Sequence, residues 1–159
     1  MTTMADLERD GVVLAYEERG TGAPPIVLVH GILCDRRYLA PQLEHFSQRH
    51  RTVAIDLRGH GESGAPEQKY TIDGFADDDV VWMCGELCVD LPVVVGHSLG
   101  GIVALGVAAN FPALVSGIVA LDSVMVAPPG REEMMGAFFD RRAPRTTSGG
   151  RSGTRPVDP

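Results

Sequence analysis

The sequence predicts an α/β protein: an open, mainly parallel sheet with helices on both faces. Three observations predict it. Short β-branched runs alternate with stretches of helical spacing along most of the 159 residues. Those runs are apolar throughout instead of alternating, as strands covered on both faces are. Most of the 19 glycines and 11 prolines fall in short loops between the runs, where turns require them.

Taken in order, Leu7-Glu-Arg, the turn pair Asp10-Gly11 and residues 12–18 read as a hairpin, because Asp-Gly favours a two-residue connection. Gly20-Thr-Gly-Ala-Pro-Pro breaks the chain, and residues 26–30 (Ile-Val-Leu-Val-His) form a buried parallel strand. Residues 38–49 carry Leu39, Leu43 and Phe46 at helical spacing. Residues 52–55 are the next strand, followed by a Gly-rich loop from Asp56 to about Tyr70. Between 71 and 89, Ile72, Phe75, Ala76, Val80, Met83, Cys84, Leu87 and Cys88 recur at three and four, which predicts one amphipathic helix. Asp77, Asp78 and Asp79 sit near its first turns, where the helix dipole tolerates acid. Residues 92–95 are a strand, residues 99–110 a helix rich in small residues and closed by Phe111-Pro112, and residues 118–121 a last strand.

Composition narrows the function classes. Residues 1–140 carry 9 Lys+Arg against 20 Asp+Glu, whereas residues 141–159 carry 5 Arg against one Asp. An acidic body offers no field for nucleic acid or anionic lipid, so neither a nucleic-acid nor a membrane partner is expected. No apolar run approaches the eighteen residues of a membrane span. The start lacks the basic end and apolar stretch of an export signal, and the three cysteines are an odd number. A reduced, cytoplasmic protein is expected. Cys84 and Cys88 are one helical turn apart, but with no histidine or second pair nearby they read as two buried small apolar residues and not as metal ligands.

Three segments carry chemistry. Gly96-His97-Ser98-Leu99-Gly100-Gly101 stands where a buried strand hands over to a helix. G-x-S-x-G in that setting predicts a strained turn that lifts the Ser98 hydroxyl clear of the sheet. A side chain at Gly96 or Gly100 would crowd neighbouring backbone, and the Leu99 amide is aimed at a developing oxyanion. His30-Gly31-Ile32 closes the strand 26–29, and Gly31 lets the chain turn so that the Ile32 amide supplies a second oxyanion donor. The His30 ring is expected to tie the loop together and to transfer no proton. Asp56-Leu-Arg-Gly-His-Gly-Glu-Ser-Gly64 follows the strand ending at Ile55.

These three segments, in this order and spacing from about residue 7 to residue 122, resemble the α/β-hydrolase fold family. Within it they resemble the bacterial branch of esterases and non-haem haloperoxidase-like enzymes. The resemblance implies a serine hydrolase acting through Ser98 on an ester or related carbonyl of a small-molecule substrate. It implies no metal and no organic cofactor, and makes Asp56, Arg58 and Ser63 a structural turn beside the site. Residues 1–125 would then be the N-terminal part of the hydrolase core, 126–140 the start of a lid-like helix, and 141–159 a disordered basic tail.

The family's pattern is incomplete here. Its triad runs Ser, then Asp or Glu, then His, and the imidazole is what activates the hydroxyl. All five histidines (30, 45, 50, 60 and 97) precede Ser98. Asp122, after the last strand, is either an acid placed one strand earlier than usual or an aspartate capping a strand end. The core is therefore expected to be truncated before its last strands, catalysis to be impaired, and the exposed sheet edge to favour self-association. Two other readings stand beside this one. The chain is a non-catalytic binder, or Gly59-His-Gly61-Glu-Ser-Gly64 is a dinucleotide loop; the second is disfavoured because helical spacing resumes only near Thr71.

Overall fold

The structure is a computed structural model and describes residues 2–123. The lid-like helix expected over 126–140 and the tail over 141–159 lie outside the described residues. A six-stranded sheet has the order β1-β2-β4-β3-β5-β6. Strands β1 (Thr2–Arg9) and β2 (Val12–Arg19) form the hairpin, joined by Asp10 and Gly11 at φ 52° and 78°. Two consecutive positive φ values match the right-handed twist of the flanking strands, which is why Asp-Gly is favoured there. Strand β2 runs antiparallel to β4 (Thr52–Ile55), and β4, β3 (Ile26–Val29), β5 (Val93–His97) and β6 (Gly117–Leu121) are parallel.

The uninterrupted apolar runs are explained by two covered faces. On one, Ile26, Leu28, Ala54 and Val95 meet Leu39 and Leu43 from a 3₁₀ turn (Arg36–Leu39) and helix α1 (Ala40–Phe46). On the other, Val27, Val53 and Ile55 meet Val80, Met83 and Cys84. Every residue of β3 and β4 is buried. Strand β6 differs: Val119 and Leu121 are 41% and 39% exposed, and among the described residues no strand pairs with its outer edge.

The segment 71–89 departs from the single regular helix that its spacing predicts. Helix α2 (Ile72–Gly74), capped by the Thr71 hydroxyl accepting from the Gly74 amide at 3.0 Å, passes into a π-helical stretch (Phe75–Val81) and then α3 (Trp82–Glu86). Asp79 lies within the buried set Phe75, Ala76, Val80 and Met83. It is therefore on the inner face, four residues from both Phe75 and Met83. The two cysteines also depart from expectation. Cys88 is exposed, because α3 ends at Glu86 and the chain turns away with φ 51° at Cys88. Cys84 is partly covered, and burial pushes its thiol up to about 12. Helix α4 (Leu99–Asn110) packs its small residues closely, with Gly106 against Ile72 and Ala76. No helix among the described residues is long and apolar enough to cross a membrane.

Candidate active site

Three strand ends meet around Ser98. Strand β5 ends at His97 and α4 begins at Leu99, leaving Ser98 between them at φ 52°, ψ −111°. That backbone is sparsely populated by any residue with a side chain, and only surrounding contacts keep it there. The Ser98 amide donates to the Leu121 carbonyl at 2.9 Å, and its own carbonyl accepts from Gly101 at 3.1 Å and from the Ser123 hydroxyl at 3.0 Å. A Cβ on Gly96 would fall on the Gly100 carbonyl, and one on Gly100 would fall on the Val29 carbonyl. The first turn of α4 thus packs directly against the ends of β5 and β3. Leu99 buries its side chain, and its amide opens the helix, where no intrahelical acceptor exists.

The loop after β3 abuts this turn. A Cβ on Gly31 would stand 3.3 Å from the Ser98 Cβ and 2.9 Å from His97 Nδ1. Ile32 follows in a turn closed by the Cys34 amide donating to the Gly31 carbonyl at 3.2 Å. Asp122 lies one residue beyond β6 with φ 47° and an exposed side chain, level with the elbow through the Ser98–Leu121 bond. Among the described residues, no side chain hydrogen-bonds the Ser98 hydroxyl or the Asp122 carboxylate.

Of the histidine rings nearest the turn, His30 is held by hydrogen bonds elsewhere, whereas His97 Nδ1 is buried with no hydrogen-bond partner among the described residues. His30 is fully buried, with Nδ1 2.7 Å from the Gly31 carbonyl and Nε2 accepting from the Leu57 amide at 3.1 Å. Burial holds its pKa below the ordinary imidazole value. His60 lies with its ring centroid 5.1 Å from that of His30, and His97 stacks near Tyr38 at 5.2 Å.

The loop after β4 is closed by its own bonds. The buried Asp56 carboxylate accepts from the Arg36 amide at 2.6 Å, the Arg36 guanidinium and the Glu62 amide at 3.0 Å. Ser63 donates to the Asp56 carbonyl at 2.6 Å and accepts from the Ala15 amide at 2.9 Å. The Gly59 amide donates to the Gly64 carbonyl at 2.8 Å, and α2 starts eight residues beyond Gly64, so no helix opens on this loop to receive a pyrophosphate. Beneath it, Asp79 accepts from the Arg58 amide at 2.9 Å and from Arg58 Nε at 2.6 Å. Burial pushes the Asp79 carboxyl up to about 6, against the opposing pull of Arg58. Sequence reasoning missed both Arg36 and the inward Asp79. The Phe75–Asp79–Met83 spacing carried the signal for Asp79, whereas nothing local marks Arg36.

Among the described residues no three His, Cys, Asp or Glu side chains are grouped to hold a metal ion. An apolar cavity of about 370 Å³, lined by Val80, Cys84, Val94, Val107, Leu114 and Val115 among others, lies toward the amino ends of β5 and β6. Ser98 is at the opposite end of β5, so this cavity is not part of the elbow. In open parallel sheets the carboxyl ends of the strands are where ligands are handled.

A family model described as the α/β-hydrolase fold matches residues 24–145. The chain belongs to the α/β-hydrolase fold family. This hydrolase-fold chain is 36% identical over 111 residues to a 2-(acetamidomethylene)succinate hydrolase from Mesorhizobium japonicum, covering 70% of this chain and 39% of that protein. The crystal structure of E-2-(acetamidomethylene)succinate hydrolase superposes with a TM-score of 0.77 at 29% identity, covering 87% of this chain and 51% of the other. Est816, an N-acyl homoserine lactone degrading enzyme, gives 0.73 at 34% identity, with 84% and 54% covered. The chain spans about half the length, or less, of these relatives, and the curated relative is named as a hydrolase.

Proposed function

We propose that this chain carries the nucleophile half of a serine hydrolase acting on small esters or related carbonyl compounds. Ser98 Oγ attacks the carbonyl carbon, the carbonyl π electrons move to oxygen, and the amides of Ile32 and Leu99 hold the resulting oxyanion. The observation that supports this best is the Ser98 backbone at φ 52°, ψ −111°, wedged between β5 and α4 where a plain connecting loop would carry no strain. The relatives named above support the substrate class, since an acetamido group and a lactone each present an electrophilic carbonyl.

Proton transfer is the weak point. None of the five histidines follows Ser98, so slow turnover is expected of these 159 residues alone, and Asp122 is the candidate acid among the described residues. Positioning and oxyanion donors without a working triad retain a rate of about 10³–10⁴ over water. A second reading, a non-catalytic member that binds a small molecule, draws on the absence of a hydrogen-bond partner for the Ser98 hydroxyl among the described residues. A fluorophosphonate probe tests the two: phosphorus bonds Ser98 Oγ, fluoride leaves and the hydroxyl proton is released. Slow labelling that disappears in Ser98→Ala is expected. A folded sample that stays unlabelled favours the binder.

A further inference from the structure

We propose that His30 is a positioning residue for the oxyanion site, aiming the Ile32 amide by holding the carbonyl of the same peptide unit. The inference rests on the reading of Ile32 as an oxyanion donor and adds the device that sets its direction.

A trans peptide is planar, with its C=O and N–H pointing opposite ways. Whatever fixes the Gly31 carbonyl therefore fixes the Ile32 N–H. His30 Nε2 accepts from the Leu57 amide at 3.1 Å, so that nitrogen carries a lone pair and the ring proton resides on Nδ1. Nδ1–H then donates to the Gly31 carbonyl at 2.7 Å, a shorter contact than the 3.2 Å one from the Cys34 amide to the same oxygen. With both ring nitrogens used and the ring fully buried, the imidazole has one tautomer and one orientation.

The anchor at the far end is itself tied down. Leu57 lies between Asp56, held by Arg36, and Arg58, held by Asp79. A continuous set of bonds thus runs from the Phe75–Val81 stretch through the β4 loop and His30 to the peptide beside Ser98. A flipped Gly31–Ile32 peptide would instead turn a carbonyl lone pair toward the oxyanion and repel it. Protonation of His30 would set an Nε2–H against the Leu57 N–H and break the relay. Burial and the neighbouring His60 resist that protonation, while the bond to the Gly31 carbonyl, Asp56 and Asp35 favour it.

Two substitutions of similar bulk separate the ring's two jobs. His30→Asn keeps a donor where Nδ1–H was but loses the Leu57 acceptor. His30→Gln keeps the acceptor and loses the donor. The probe is phenylboronic acid, whose boron bonds Ser98 Oγ as the hydroxyl proton is released to solvent, giving a tetrahedral anion seen by ¹¹B NMR. We expect wild type to form the adduct and Ser98→Ala not to. His30→Asn should bind within about threefold of wild type, and His30→Gln about tenfold or more weakly.

Equal weakening in both variants, or tighter binding by His30→Gln, overturns the positioning role. Absence of any Ser98-dependent adduct in wild type overturns the hydrolase reading instead. Positioning is then judged separately by long-range ¹H–¹⁵N NMR of the ring and by the Ile32 amide shift. An Nδ1–H tautomer, with an Ile32 shift moved by His30→Gln but not by His30→Asn, supports it. An Nε2–H tautomer in wild type, which requires no variant to fold, overturns it.

Discussion

The buried Arg58–Asp79 pair yields a prediction in which a second mutation repairs the first. Arg58 is 6% exposed and Asp79 is 0% exposed, so both charges are out of water. Asp79 serves two donors of Arg58, the backbone amide and Nε. Asp79→Ala strands both and leaves the buried guanidinium only the more distant Asp78 carboxylate, 3.4 Å from its other nitrogen; breaking a buried pair in this way typically costs about 3–5 kcal/mol. Adding Arg58→Met removes the stranded guanidinium and keeps much of its volume. One orphaned backbone amide then remains, worth about 1–3 kcal/mol. The double variant is therefore expected to be more stable than the Asp79→Ala single, by about 2 kcal/mol. The raised Asp79 pKa points the same way, since desolvation outweighs the attraction of Arg58. Urea unfolding at pH 7 measures it, followed by fluorescence of Trp82, the single tryptophan, which opens α3 and has the Arg9 guanidinium 5.7 Å from its ring centroid. A double variant less stable than Asp79→Ala, or a cost for the single below about 1 kcal/mol, would show that the pair does not hold the loop as argued.

Other outcomes follow from the same geometry. Ser98→Gly is expected to raise the melting temperature, because relieving the strained backbone is worth about 1–3 kcal/mol against about 0.5–1 kcal/mol of added chain entropy; calorimetry showing a lower value would remove the strain argument. Acid should weaken the fold partly through His30. Its folded pKa lies below the ordinary value, so its contribution is present above about 6.5 and lost as pH falls through the folded value. The drop in urea midpoint from pH 7.5 to 5 should shrink in His30→Asn. Self-association through β6 is expected from an outer edge that no strand among the described residues pairs, and from exposed Val119 and Leu121. Val119→Lys should lower the apparent mass in sedimentation velocity, and no change would point to another surface.

Much of the fold was legible because its physics is local. Continuous Val/Ile/Leu runs mean strands covered on both faces, and β3 and β4 are buried throughout. Asp10-Gly11 specifies a turn through backbone sterics alone, and Gly96 and Gly100 announce a close approach that no other residue permits. The failures have a common cause. Spacing marks Asp79 only as an acid that the helix dipole tolerates, because its partner, Arg58, lies 21 residues away on another element. Arg36 likewise meets Asp56 across 20 residues. Periodicity reports which face a residue occupies, but it does not report whether a charge on the inner face has found its counter-ion. The π-helical stretch is the same kind of miss, since three- and four-residue spacing does not distinguish it from a regular helix.

These nonlocal pairs bear directly on how the strained turn at Ser98 is held. The strain at Ser98 is opposed by α4 packing on β3, by the Leu121 and Ser123 contacts from β6, and by the Gly31 loop pinned through His30. All of these lie within residues 2–123, so the turn at Ser98 is held by contacts from the described residues. The hydroxyl is thus presented by steric packing and main-chain bonds, and supplying an imidazole acceptor should change its reactivity far more than its position.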